Sequence, residues 1–149
     1  MFEYHGWVTL RDTQDSDDVS RGYDIRQDTV DAVRDLVGNP AIQNDFQRAS
    51  LTSENGLWHL HLWGFRNHRQ PTVVDVWRQI AEIAPASYGV LYIQNDEEPE
   101  QGNEWVAWPL RRGWTGPQPD PFLSPVVPLV DDPEPWFEQQ GGREPPDCT

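Results

Sequence analysis

The chain has 149 residues and a formal charge of −14, with eleven basic residues, all arginine, and eight tryptophans. That length supports one domain with its own core. An isoelectric point near 4.4 excludes a protein that grips phosphate backbones, because counterion release needs a basic surface, and it disfavours anionic membranes for the same reason. Neither a nucleic-acid nor a membrane partner is expected. The single cysteine, Cys148, excludes a disulfide framework and a cysteine-based zinc site. The charged start is no signal peptide, and no apolar run approaches the roughly 18 residues of a membrane span. A cytoplasmic location is expected.

The first element is a strand over 2–10, where Phe2, Tyr4, Val8 and Leu10 alternate with Glu3, His5, Trp7 and Thr9. An acidic loop over 12–20 follows. Val30, Val33 and Val37 recur at helical spacing over about 24–37, and Gly38-Asn39-Pro40 stops that helix. A weaker strand covers about 46–51. Asn55-Gly56 is the strongest local signal, because both residues tolerate positive φ in a tight hairpin. It launches a strand over 57–63. A second helix over about 72–84, capped by Thr72 or Gln70, carries the stripe Val73, Trp77, Ile80 and Ala84 and ends at Pro85. Strands over 88–94 and 103–110 flank an acidic turn over 96–102.

The order β-α-β-β-α-β-β predicts an α+β domain. It should hold a mainly antiparallel five-stranded sheet, a ferredoxin-like split βαβ variant, with two helices on one face. Nine of the fourteen prolines fall between Pro117 and Pro146. Residues 1–116 are therefore read as the domain, 117–140 as a Pro-rich C-terminal arm packing on it, and 141–149 as a disordered tail. The alternation leaves His5, Trp7, His59, His61 and Trp63 on the sheet face away from the helices. The apolar residues of the arm, Phe122, Leu123, Val126, Val127, Leu129, Val130, Trp136 and Phe137, are the expected cover for it.

Few motifs carry chemistry. His59 and His61 share one side of a strand, and with His5 they offer a possible three-histidine metal site; histidines packed among tryptophans explain the same pattern. Arg66-Asn67-His68-Arg69 is the most basic spot and reads as a polar loop whose arginines pair with nearby aspartates. No nucleophile elbow, phosphate-binding loop or dinucleotide fingerprint occurs, so neither an enzyme nor a cofactor is expected. Two acidic clusters stand out: Asp12, Asp15, Asp17 and Asp18, and Asp96, Glu97, Glu98 and Glu100. Such loops steer and hold a basic protein partner.

The run Phe2-Glu3-Tyr4-His5-Gly6-Trp7, the segment from Asn55-Gly56-Leu57-Trp58 through Trp63-Gly64, Asn67-His68-Arg69, Ser87-Tyr88-Gly89-Val90-Leu91-Tyr92 and Asp120-Pro121-Phe122-Leu123-Ser124-Pro125 together resemble the immunity protein seven family of bacterial polymorphic toxin systems. The resemblance spans about residues 1–132. It implies a small cytoplasmic antitoxin, encoded beside a toxin, that neutralises the toxin by direct binding. The shared motifs are expected to mark the fold and not the toxin contact, since immunity interfaces must discriminate between related toxins.

The partner implied is the C-terminal domain of a cognate toxin, and the acidity of the chain suits a basic one such as a nuclease. The contact is expected at Asp96, Glu97, Glu98 and Glu100 ahead of Asp12, Asp15, Asp17 and Asp18, with Trp114 in the Arg-Arg-Gly-Trp turn as the aromatic alternative. The other functional readings are a small metalloenzyme using His5, His59 and His61, and a carbohydrate-binding module using exposed tryptophans.

Overall fold

The structure is a computed structural model that describes residues 1–12, 25–40 and 48–123. Among the described residues the elements in chain order are β1 (Phe2–Thr9), α1 (Gln27–Gly38), β2 (Arg48–Glu54), β3 (Leu57–Arg66), α2 (Pro71–Ile83), β4 (Tyr88–Asn95), β5 (Trp105–Arg111), β6 (Trp114–Thr115) and β7 (Gln118–Pro119). The strands form one antiparallel sheet in the order β2-β3-β1-β4-β5-β6, and β7 also pairs with β5. The fold class is α+β.

Among the described residues the sheet has seven strands where five were expected. The two additional strands are two residues long, too short for alternation to reveal. They arise because the chain reverses at Arg112 and Gly113, at φ 50° and 71°, and runs back along the free edge of β5. The start of the proline-rich segment thus closes a sheet edge, and Pro119 sits where a missing N–H costs least. Residues 124–149, which hold most of the expected arm and all of the expected tail, lie outside the described residues.

The hairpin at Asn55-Gly56 forms as expected, with φ 52° and 79° at the two positions. It sets the β2–β3 register at Glu54 opposite Leu57. Pro71 opens α2 at its first turn, where its lack of an N–H is harmless. Gln70 occupies the cap position, but without the side-chain cap hydrogen bond that was expected of it. Helix α1 begins at Gln27, later than anticipated, and its start is served from a distance. Asp12 accepts hydrogen bonds from the Arg26 backbone N–H (2.8 Å) and the Thr29 hydroxyl (3.2 Å). A carboxylate there also complements the positive end of the helix.

Both helices contribute to one core against the same sheet face. Tyr4, Val8, Leu60, Leu62 and Leu91 from the strands are buried against Val33 of α1 and Val73, Val76, Trp77 and Ile80 of α2. Trp77 places its indole N–H on the Trp108 carbonyl at 3.1 Å, so the largest core side chain leaves no buried donor unmet.

Candidate partner interface

Period-two alternation sends the other half of each strand outward. Five of the exposed large apolar side chains gather on this outer face: Trp7, Trp63, Phe65, Tyr88 and Trp114, at 43, 37, 52, 42 and 46% exposure. The register accounts for the gathering, since Glu3 opposes Phe65, His5 opposes Trp63, Thr9 opposes Tyr88 and Arg111 opposes Trp114. The rings do not form a flat platform. Trp7 meets Tyr88, and Tyr92 meets Trp105, both at 83° between ring planes. Arg11 stands over Tyr88 at 5.3 Å and Arg111 over Trp114 at 5.7 Å.

The three histidines lie on this same face, each with its own arrangement. His5 shares a hydrogen bond of 2.8 Å with the Glu3 carboxylate, and His59 shares one of 3.1 Å with the Thr9 hydroxyl across the β1–β3 pair. His61 is exposed opposite Trp7. Among the described residues no group of three or more His, Cys, Asp or Glu stands close enough to hold a metal ion.

The β4–β5 loop gathers the first acidic cluster at one end of the sheet. Three successive turn bonds, Glu98 N–H to Asn95 O, Gln101 N–H to Glu98 O and Glu104 N–H to Gln101 O, run through it at 3.0–3.2 Å. The Gln94 side chain braces it from the strand by donating to the Gly102 carbonyl at 2.8 Å. The chain start is tied on as well. Asp96 donates its backbone N–H to the Met1 carbonyl at 3.1 Å, and its carboxylate pairs with the terminal ammonium.

The Arg66–Arg69 loop meets this cluster directly, although its arginines were expected to find aspartates. Glu97 takes a hydrogen bond from His68 Nδ1 at 2.7 Å and one from the Arg69 backbone N–H at 2.9 Å. The His68 hydrogen bond, then that backbone N–H, hold the Glu97 carboxyl below its ordinary pKa. Arg69 lies 3.8 Å from Glu98. Asp96 and Glu97 therefore fasten the loop to the body of the fold although both are exposed, and Glu98, Glu100 and the neighbouring Glu104 are exposed as well. Glu104 lay just beyond the acidic run read from the sequence, in the first residues assigned to the next strand.

Of the second acidic cluster, only Asp12 lies among the described residues. Asp12 is engaged at the start of α1, and Asp15, Asp17 and Asp18 lie outside the described residues. Trp114 projects from the reversal that follows β5, beside Arg111 and Arg112. Among the described residues no helix is long and apolar enough to cross a membrane.

The family-motif residues fall largely on strands, turns and core contacts. Tyr4, Leu60, Leu62 and Leu91 are core residues, and Asn55-Gly56 is a turn. No curated protein and no solved structure matches the chain. The family model described as Immunity protein 7 matches residues 1–132, most of the sequence and every described element, and the chain belongs to that family.

Proposed function

We propose that this chain neutralises its cognate toxin by binding the toxin's C-terminal domain directly, without catalysing a reaction, and that the contact centres on the β4–β5 loop. Family membership makes it an immunity protein directed against a toxin, and the match over residues 1–132 is the observation that carries the reading. The site assignment draws on the loop's construction. Its turn bonds, the Gln94 brace and the Glu97 anchor fix the backbone in advance, so little ordering entropy is lost on docking. With Asp96 and Glu97 engaged internally, Glu98 and Glu100 are the acids offered outward. A net charge of −14 suits a basic toxin surface, as a nuclease would present, and would speed encounter. The strand order β2-β3-β1-β4, with α1 and α2 as the two crossovers, supports reading the frame as a ferredoxin-like split βαβ variant with β5 added outside.

The exposed Trp114 supports a second reading, an interface anchored on an aromatic side chain. Binding of the neighbouring-gene toxin domain across a salt series separates the two. Glu98→Gln with Glu100→Gln should slow association and flatten its salt dependence, leaving the unfolding midpoint unchanged. A salt-independent association rate, with binding lost only in Trp114→Ala, refutes the acidic-loop contact. Failure of the wild-type chain to bind refutes direct neutralisation.

A further inference from the structure

A cleft of about 210 Å³ opens between the start of α2 and the β4–β5 loop. Its floor is apolar, formed by Phe2, Val74, Ile93, Val106, Trp108 and Pro117, and its rim carries Glu98 and Glu104 against a single cation, Arg69. The volume falls below the roughly 300–1,000 Å³ of small-molecule sites and suits one long side chain. Interfaces concentrate their binding energy at such places, where a partner's anchor fills a preformed pocket.

We propose that this cleft receives one arginine or lysine side chain of the toxin, its methylenes on the Val74–Trp108 floor and its charged end at Glu98 and Glu104. The inference rests on the direct-binding reading above and deepens it. The rim decides the chemistry of the occupant. Two carboxylates against one guanidinium repel an anion, and a wholly apolar group would desolvate those carboxylates without pairing them. A long cationic side chain satisfies floor and rim together, since its stem is apolar and its head is charged. The existing Arg69–Glu98 approach of 3.8 Å is well beyond the roughly 2.7–2.9 Å of a charge-assisted hydrogen bond, so Glu98 retains capacity for a second donor. Glu104 has no ion pair among the described residues. Family relatives that differ at these rim positions would accept different toxins, which is what discrimination between toxins requires.

The test uses the full chain and the catalytically inactivated toxin domain encoded beside it, with affinity measured by calorimetry. Val74→Trp fills the cleft from a half-buried helix position and should weaken binding by about tenfold or more. Glu98→Gln with Glu104→Gln, both on the exposed loop, should also weaken binding and reduce its salt dependence. If Val74→Trp impairs folding, the double glutamine variant decides alone. Wild-type binding that neither variant alters overturns the cleft and leaves the immunity reading standing. Loss in Val74→Trp with full binding and an unchanged salt slope in the glutamine variant also overturns it, because the occupant is then uncharged. A wild-type chain that does not bind the toxin overturns both readings.

Discussion

The ring of Tyr4 lies over Gly64 on the neighbouring strand, with its Oη 2.5 Å from where a β-carbon on that glycine would stand. The two residues are register partners in the β1–β3 pair. Tyr4 is fully buried and also packs against Phe2 at a ring-centroid distance of 5.9 Å. Both residues belong to the motifs that carry the family resemblance, and their relationship is one of space-filling in the core. For this pair, the motif residues serve the packing of the sheet against its helices.

Replacing Gly64 with alanine forces a methyl group into the Tyr4 ring, whose neighbours leave it little room to move. Overpacking of this kind costs about 1–3 kcal/mol. Urea unfolding of Gly64→Ala should show that loss with an unchanged slope, and the folded fraction should bind toxin as the wild type does. Undiminished stability would mean that the ring and the strand pair adjust freely.

Glu97 supplies a pH dependence whose sign follows from its environment. Its folded-state pKa lies below the ordinary carboxylate value, first through the His68 hydrogen bond and then through the Arg69 backbone N–H. A lowered folded pKa means that the contribution is present above the unfolded value and is lost as pH falls through the folded one. Thermal unfolding of wild type and Glu97→Gln should differ most near neutrality and converge in acid. The side chain is exposed, so the difference will be small and will shrink with salt. A carboxyl resonance for Glu97 that titrates at or above the usual glutamate value would contradict the anchor.

The legible parts of this fold were those written in local chemistry. Asn55-Gly56 announces its turn because few residue pairs tolerate two positive φ angles. The alternation of β1 and β3 correctly separated Tyr4, Leu60 and Leu62 from Trp7, His61 and Trp63. What stayed hidden depends on pairing at a distance. β6 and β7 exist only because β5 presents an open edge, and nothing in a two-residue segment encodes that. Likewise, Asp96, Glu97, Glu98 and Glu100 read as equivalent charges along the chain. Their division into anchors and outward acids depends on His68, Arg69 and the chain terminus arriving at the same place. The cleft beside them is assembled from β1, α2, β4 and β5 together.

The outer sheet face yields the last prediction. Its five exposed aromatics form the kind of surface that is covered by a partner or by the chain itself, and the last described turn is fastened beside it. Asp120 donates its backbone N–H to the Trp105 carbonyl at 3.2 Å and accepts the backbone N–H groups of Phe122 and Leu123 on its carboxylate. The chain is therefore pinned beside Trp105, whose ring contacts His5 and Tyr92 on that face. From β5 to β3 is three strand spacings, about 15 Å, which some five extended residues can span. The segment 124–137 offers Val126, Val127, Leu129, Val130, Trp136 and Phe137 for the purpose, and the family match continues through residue 132. Ending the chain after Leu123 should lower the unfolding midpoint, shift tryptophan emission to longer wavelength and raise binding of a dye that reports exposed apolar surface. If all three are unchanged and toxin affinity is retained, the segment does not cover this face. If stability and dye binding are unchanged but toxin affinity falls, the proline-rich segment belongs to the toxin contact instead.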